Sequence, residues 1–468
     1  MQWTSTIVDA SAWIAAGDRL RAGSHSLVSL WGEPGLAHLA LGDASSGVAV
    51  LHLPCGDNRF PSIGRLHPPA IRLERAMRDL VGLDAEGAPD MRPWLRHGPA
   101  YPFLPAEGEG LHQIAVGPVH AGIIEPGHFR FTANGEAVVR LEERLGYVHK
   151  GIDALMAGAT VERAAALAGR ISGDSTVAYA LAFSQALEAA LGVQVPPRAA
   201  WLRALMAELE RLANHFGDIG AVCNDASFTL MHASFGVLRE QVLRAADACF
   251  GHRLMMDRAV PGGVRSDVSG ECTGRLTALV ALVRRQFPPL VHLYDNTASL
   301  KDRTVSTGIL SEALARQYAA GGYVGRASGR MFDARRTPGY NPYDELKFEV
   351  PVVHAGDVNA RVWIRIQEVE QSLALVEQIL QRLPAGPIST PLSAAAGVRE
   401  GMALVEGFRG DIFAWVRIAA DGRVERCHLR DPSWFQWPLL EAAIEGNIVA
   451  DFPLCNKSFN CSYSGHDL

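Results

Sequence analysis

Cysteine is scarce in this sequence. Its 468 residues include seven cysteines, and no two of them are spaced as Cys-x-x-Cys. An odd number of scattered cysteines does not make a disulfide framework, and cysteines that are sequence neighbours cannot build a zinc or iron–sulfur site here. The sequence therefore predicts a protein of a reducing compartment.

An excess of positive charge and long apolar runs are also missing. The 44 Lys+Arg against 50 Asp+Glu leave a formal charge of −6, which argues against general nucleic-acid binding. The first residues lack the basic-then-apolar layout of a secretory signal. The longest apolar run, at 276–283, is far shorter than the ~18 residues of a membrane span. We therefore expect any membrane association to depend on partners, while the 48% hydrophobic residues predict a sizeable core.

The first hundred residues read as a small α+β domain. Three β-rich runs at 24–53 are separated by Gly, Pro and Asp, as in an antiparallel meander. The segment at 68–83 places its apolar residues on one face and predicts a helix packed on that sheet. A Pro- and Gly-rich connector follows, so we predict one domain at 1–110 and a second at 111–468.

The second domain begins with strands and continues mainly as helices. Asn134-Gly135 joins two β-like runs, which is a strong hairpin signal. Apolar residues at three- and four-residue steps predict long core helices at 174–191, 198–216 and 360–383. A further hairpin is expected around Asp421-Gly422. The predicted fold class is α+β, with a mainly helical large domain on a β-hairpin platform.

Six segments of this second domain carry a family resemblance. They are GPVHAGIIEPGHFRF, LGYVHKGIDAL, RISGDSTVAYALAFSQALE, AELERLANHFGDIG, RAVPGGV and the C-terminal DPSWFQWPLLEAAIEGNIVADFPLCNKSFNCSYSGHDL. In this order they resemble the large subunit of energy-converting, membrane-bound [NiFe]-hydrogenases and, equally, the quinone-site large subunit of respiratory complex I. RFPSIGRLHPPAIRLERAMRDLVGLDAEGAPDMRPWLRHG resembles the small docking subunit of complex I. A fusion of the two is typical of the formate-hydrogenlyase and hydrogenase-4 type.

The resemblance also exposes a departure. In an active [NiFe] enzyme, two Cys-x-x-Cys pairs hold the metals, because soft thiolates bind nickel and iron(II) tightly. The early pair corresponds to Ser172 and Ser175, and the late pair to Cys461 and Ser464. Since three of the four thiolates are absent, we expect no [NiFe] centre, no other tightly bound cofactor, and a Cys461 that is a small buried apolar residue.

Complex I lacks the same thiolates and binds quinone in the vacated cavity. The resemblance therefore implies that a [4Fe-4S] cluster on a small partner subunit passes electrons to a quinone-like acceptor here. It implies integral membrane subunits as further partners, a place at the cytoplasmic face of the cell membrane, and NADH oxidation on another subunit. Gly173 stands where complex I has a quinone-contacting tyrosine, and we expect Tyr179 to face elsewhere.

Three residues are predicted to be catalytic by this resemblance. Glu125 corresponds to a proton-passing glutamate, and burial beside Ile123 and Ile124 would raise its pKa; the alternative is an exposed loop glutamate. His128 corresponds to a histidine that both relatives carry, and its alternative is an ordinary turn histidine. Arg170 corresponds to an arginine of both relatives and precedes the early ligand positions.

Other residues are predicted to line the cavity. Arg409 resembles the Arg-Gly turn beside the site in both relatives, and His466 occupies a tail position where hydrogenases carry His or Arg. Asp174 lies among the former ligand positions, but it can equally be a helix N-terminal acid with Ser172 as the cap. A separate set on one helix face is predicted to be solvated or salt-bridged, not catalytic: Glu208, Arg211 and His215.

The chief rival to a redox subunit is a non-catalytic scaffold or coupling subunit. Such a protein would be expected to lack both the metal-binding thiolates and the quinone-contacting tyrosine, as this sequence does. An active [NiFe]-hydrogenase with unusual ligands is a further alternative. An open, polar-walled cavity between 120–130, 170–180 and 455–468 would favour redox chemistry, and a filled one would favour the scaffold.

Overall fold

A computed structural model describes residues 3–43, 47–95, 101–122, 124–392 and 397–468. The strands are β1 (Trp3–Ile7), β2 (Ser26–Glu33), β3 (Leu36–Asp43), β4 (Gly47–Pro54), β5 (Arg59–Pro61), β6 (Asp84–Glu86), β7 (Leu111–Val116), β8 (His128–Asn134), β9 (Ala137–Arg144), β10 (Ala259–Val260), β11 (Gly263–Val264), β12 (Arg399–Gly407), β13 (Gly410–Ile418) and β14 (Val424–Arg430).

The helices of the same residues alternate with these strands. They are α1 (Ala10–Arg21), α2 (Ile71–Val81), α3 (Ile152–Met156), α4 (Val161–Ala168), α5 (Thr176–Leu191), α6 (Pro197–Asp225), α7 (Thr229–Phe250), α8 (Gly270–Asn296), α9 (Ala298–Thr304), α10 (Glu312–Gln317), α11 (Gly322–Ala327), α12 (Val358–Arg382), α13 (Ser433–Ala443), α14 (Phe452–Phe459) and α15 (Tyr463–Asp467). None of the described helices is long and apolar enough to cross a bilayer.

The N-terminal sheet has the strand order β1-β4-β3-β2. β2, β3 and β4 form the predicted antiparallel meander, which is confirmed. β1 pairs with β4 in parallel, and α1 connects into the meander; the prediction missed both elements. The predicted helix is α2, which ends at Gly82 with a left-handed φ of 71°. Its buried residues include Leu73 and Met77, so its apolar face packs on the sheet as expected.

Both predicted hairpins of the large part are confirmed. β8 and β9 pair on either side of Asn134-Gly135, and β13 pairs with β14 around the predicted turn at 421–422. The prediction missed β12, which pairs with β13 from Arg399 opposite Ile418 to Gly407 opposite Gly410. The sheet of β12, β13 and β14 packs on α5, and this contact positions the start of α5 next to the β12–β13 turn.

The predicted long helices are confirmed as α5, α6 and α12. The charged face of α6, predicted to be solvated or salt-bridged, is salt-bridged, but it is buried and not solvated. Glu208, Arg211 and His215 are buried. They belong to what we call the buried ionic network, whose side chains are at most 2% exposed. Carboxylates and guanidiniums at this depth need mutual pairing, because an unpaired buried charge is costly. The members of the network are Glu208, Arg211, His215, Arg326, Asp333, Arg335, Glu368 and Glu406.

The N-terminal residues and the large part share one apolar core. Trp94 is 1% exposed and packs in the same cluster as Trp437 of α13. Arg72 of α2 reaches across to Glu143 of β9 at 3.1 Å and to Glu441 of α13 at 2.6 Å. The domain boundary at residue 110 stays a prediction, but the residues before it contribute directly to the packing around the C-terminal tail.

Candidate functional site

The early former ligand positions and the C-terminal tail converge on one arginine. Arg409 lies in the turn between β12 and β13, and its guanidinium binds the carboxylate of Asp174 at 3.0 and 2.6 Å. The same side chain is 3.3 Å from the Ser175 hydroxyl and donates to the Asn460 carbonyl at 2.5 Å. The predicted cavity-lining residues Arg409 and Asp174 are thus brought together, and they join the early motif to the tail.

Backbone packing fixes the position of Arg409. The following residue, Gly410, has a left-handed φ of 133°. A Cβ at this position would lie 2.8 Å from the Gly322 nitrogen, so a side chain would push the turn away from α11. Glycine is required here by both the φ value and the close approach.

The Asp174 carboxylate is the centre of this cluster. The Ser172 and Ser175 hydroxyls donate to it at 2.5 and 3.1 Å. Burial acts to raise the pKa of Asp174, but the charge and hydrogen bonds of Arg409 and the two hydroxyls outweigh it, and the pKa lies below its ordinary value. Asp174 is therefore an ionised partner of Arg409, and Ser172 orients it instead of capping a helix.

The expectation that Tyr179 faces away was wrong. Its hydroxyl donates to Asp431 at 2.5 Å, and a Cβ on Gly465 of the tail would lie 2.7 Å from that hydroxyl oxygen. Burial, and then Asp431, raise the Tyr179 pKa well above its ordinary value, so the phenol keeps its proton. The signal was present in the sequence: Tyr179 lies four residues after Ser175 and thus on the same helix face.

His466 lies in the interior as a neutral imidazole. It is fully buried, its Nδ1 is 2.8 Å from Asp467, and its Nε2 accepts from the Trp94 indole at 3.3 Å. Because one ring nitrogen donates and the other accepts, these contacts fit the uncharged tautomer. Burial lowers its pKa accordingly. Trp94 is a site residue that sequence reasoning missed, since it lies in the N-terminal part.

The three predicted catalytic residues lie around this cluster and do not form one group. Glu125 is exposed, so the burial on which its predicted role rested is absent; its Oε2 accepts from the Ser464 backbone nitrogen at 3.1 Å. Ile123 lies outside the described residues. His128 is buried, and its Nδ1 contacts the Gly117 carbonyl at 3.2 Å. Arg170 is exposed and pairs with Asp257 at 2.5 Å. The catalytic roles of all three stay predictions.

An apolar cavity of about 410 Å³ adjoins the same tail. It lies between the N-terminal sheet, α2, the sheet of β12–β14 and the C-terminal residues. Its wall includes Trp31, Met77, Trp415, Trp434 and Leu468. Trp434 also stacks on His466 with ring centroids 4.0 Å apart. The tail residues Asp467 and Leu468 line the cavity directly, and Trp434 connects it to His466. No described residue of 120–130 or 170–180 lines it, so it is not the cavity predicted between those segments and the tail.

Comparison with known proteins decides the family. Residues 225–397 match the family described as the 49 Kd subunit of respiratory-chain NADH dehydrogenase, and residues 36–106 match that of its 30 Kd subunit. The chain is 30% identical to formate hydrogenlyase subunit 5 of Escherichia coli K12, over 87% of this chain and 77% of that protein. It is 31% identical to an NADH-quinone oxidoreductase subunit of Roseiflexus sp. RS-1, over 72% of this chain and 94% of that protein.

The chain belongs to the family of complex I and hydrogenase large subunits. A solved chain from the membrane-bound sulfane sulfur reductase, described as an archaeal respiratory membrane complex, superimposes with a TM-score of 0.72 at 26% identity. The match covers 77% of this chain and 99% of that one. Because family members are subunits of oxidoreductase complexes, the chain is an oxidoreductase-complex subunit that fuses 30 Kd-like and 49 Kd-like parts.

The residues at the four ligand positions of this family member do not fit a [NiFe] centre. Three are serines, whose hydroxyls are poor ligands for soft metals. The fourth, Cys461, is buried, and burial raises its thiol pKa well above the ordinary value, which opposes the thiolate form. Among the described residues, no three His, Cys, Asp or Glu side chains are grouped so as to hold a metal ion.

Proposed function

We propose that this chain is the large subunit of a membrane-associated, complex-I-like oxidoreductase that reduces a quinone-like acceptor. Electrons would come from an iron–sulfur cluster on a small partner subunit. Integral membrane subunits would hold the chain at the cytoplasmic face of the membrane. Family membership supports the oxidoreductase assembly, and the residues around the cavity support a quinone-like acceptor.

The observation that carries the proposal is an apolar cavity next to buried proton-holding groups. Its aromatic and aliphatic wall suits a planar apolar ring, as ligand cavities usually do. Trp434 forms part of that wall and stacks on His466. The Tyr179–Asp431 pair contacts the same tail at Gly465. A quinone accepts two electrons and two protons to become the quinol, so it needs an apolar site with a proton supply.

The residues of the chain can hold and move protons without any metal. The Tyr179 phenol carries a proton that Asp431 accepts as a hydrogen bond. Burial raises the pKa of Glu210 on α6 to about 8, so its carboxyl holds a proton at neutral pH. Glu210 contacts the first backbone nitrogens of α5 at 2.7 and 3.1 Å, close to Asp174 in the chain. Groups that titrate near neutral pH are suited to general acid catalysis.

A scaffold function is the second candidate, and the Arg409 contacts favour it. Arg409 fills the space between the early motif and the tail and joins them through Asp174, Ser175 and Asn460. Such contacts would also be expected if Arg409 had a purely structural role, joining the segments that hold the metal ligands in [NiFe] relatives. The two candidates differ in whether turnover depends on the proton-holding residues.

The test is quinone reduction by the assembled complex purified from its native membrane. Tyr179→Phe and Glu210→Gln are compared with the wild type at equal complex yield. If the protons pass through these groups, loss of one donor lowers turnover by about 10²-fold or more. Tyr294→Phe is the matched control, because it also removes a buried phenol hydroxyl, which lies on α8 and bonds Asn359 at 2.9 Å. Unchanged turnover in both test variants would leave the scaffold function.

A further inference from the structure

Two cysteines meet where α7 ends and α8 begins. Cys249 is the penultimate residue of α7, and Cys272 lies in the first turn of α8, behind the N-cap Ser269. The Cys249 sulfur is 3.7 Å from the Cys272 carbonyl oxygen, and the Cys272 sulfur is 4.0 Å from the Ala248 carbonyl oxygen. Each sulfur therefore lies against the backbone of the other helix, next to or at the second cysteine.

The two thiols differ in exposure and in chemistry. A hydrogen bond with Ser269 and the contact with Cys249 lower the pKa of the half-exposed Cys272. Burial raises the pKa of Cys249 to about 12. A partly exposed, more acidic thiol at a helix N-terminus is the favoured nucleophile, and a second cysteine beside it can resolve its sulfenic acid. The other five cysteines of the chain are buried.

We propose that Cys249 and Cys272 form a reversible disulfide when the protein meets a peroxide. The Cys272 thiolate attacks one oxygen of hydrogen peroxide, the O–O bond breaks, and hydroxide leaves, so Cys272 becomes a sulfenic acid. The Cys249 sulfur then attacks the Cys272 sulfur, its proton joins the departing hydroxyl, and water is released. The two sulfurs together lose two electrons and the peroxide gains them. A dithiol reductant reverses the step by thiol–disulfide exchange.

The disulfide would close a segment that packs on the early motif. Residues 251–269 connect α7 to α8, and Asp257 in this segment pairs with Arg170 at 2.5 Å. A Leu254 methyl carbon lies 3.8 Å from where a Cβ on Gly173 would be. Oxidation would therefore fix both ends of the segment 251–269, which contacts the candidate site. A transient disulfide of this kind is compatible with a reducing compartment.

Peroxide treatment of the assembled complex tests the proposal. After hydrogen peroxide and alkylation, mass spectrometry of the digested chain should find the Cys249–Cys272 cross-linked peptide, and dithiothreitol should remove it. Without oxidant, Cys272 should react with iodoacetamide at least about tenfold faster than Cys249. Cys272→Ser should abolish the cross-link. Cys249→Ser should instead leave a sulfenic acid at Cys272, which dimedone captures.

Cys223→Ser is the control, because Cys223 is fully buried in α6 and takes no part in the pair. Its cross-link yield should equal that of the wild type. The proposal is overturned if peroxide gives no Cys249–Cys272 peptide, or if Cys272 joins a different cysteine. It is also overturned if Cys249→Ser gives no dimedone adduct at Cys272, because oxidation would then not begin at that sulfur.

Discussion

Arg326 is the residue whose loss should destabilise the fold most clearly. It belongs to the buried ionic network and is 1% exposed at its side chain. Its guanidinium is 2.7 Å from Glu368, 2.9 Å from Glu406 and 3.5 Å from Asp333. These contacts connect α11 to α12 and β12. We expect Arg326→Met, which keeps much of the side-chain volume, to lower the free energy of unfolding strongly.

The magnitude follows from the charges left behind. Removing one partner of a buried ion pair costs about 3–5 kcal/mol, and Arg326 has two partners within hydrogen-bonding distance. The four carboxyls of the network would then keep two of its three guanidiniums, those of Arg211 and Arg335. Protonation of Glu406 would reduce this cost, because burial and then Asp333 already raise its pKa to about 7. We therefore expect a loss of about 3–4 kcal/mol at pH 7, where a proton is easily taken up.

The pH dependence gives the prediction a second signature. Without Arg326, Glu406 of the folded variant binds its proton more tightly than Glu406 of the wild type. The free energy of unfolding of the variant therefore falls faster as the pH rises above 7. The difference between the two proteins should grow by about 1–2 kcal/mol between pH 7 and 8.5. Urea unfolding followed by tryptophan fluorescence measures both values.

Arg275→Met is the control for this experiment. Arg275 pairs with Glu271 on the surface of α8, where the two side chains are 56% and 74% exposed. Solvent screens an exposed pair so strongly that it adds little to stability, so this variant should unfold almost like the wild type. A loss below about 1 kcal/mol for Arg326→Met would refute the reasoning. A loss that does not change with pH would refute the part assigned to Glu406.

Three further predictions concern pH, metal and the site. Burial lowers the folded-state pKa of His38 from 6.5 to about 4. The contribution of His38 to stability should therefore be fully present above pH 6.5 and fall by about 3 kcal/mol as the pH drops to 4. In urea titrations over that range, His38→Gln should lose less stability than the wild type. Metal analysis of the purified complex should find far less than one nickel per copy of this chain, because three ligand positions are serines; near-stoichiometric nickel with hydrogen uptake would contradict this. Asp174→Asn should lower the free energy of unfolding by about 1–3 kcal/mol, because Arg409 would keep only neutral partners; an unfolding midpoint equal to that of the wild type would show that the pair contributes nothing.

Local sequence patterns were sufficient for part of the fold. The meander at 24–53, the helices α2, α5, α6 and α12, and both hairpins were predicted, because apolar periodicity and turn residues act over a few neighbours. Among the elements that the patterns missed are β1, α1, α7 and β12. β12 pairs with β13 through backbone hydrogen bonds across its whole length, and the Arg409-Gly410 turn that joins them was noted for its resemblance to the site and not as a hairpin.

The sequence by itself also determined the family, since motif order needs no coordinates, and it has serines at three of the four positions that the resemblance assigns to thiolates. It could not determine burial or partners. One face of α6 is as charged as a surface face, but Glu208, Arg211 and His215 lie in the interior because guanidiniums and carboxyls on other elements neutralise them. Glu125 follows apolar residues, yet its loop leaves it exposed.

Only the tertiary structure decided how the candidate site is built. It placed Arg409 against Asp174, which lies 235 residues earlier in the chain. It also placed Arg409 against Asn460, which lies 51 residues later. It turned Tyr179 toward Asp431 and gave His466 a partner, Trp94, from the N-terminal part. Such contacts depend on how distant elements pack, and a pairing between charges or rings far apart in sequence leaves no local pattern to read.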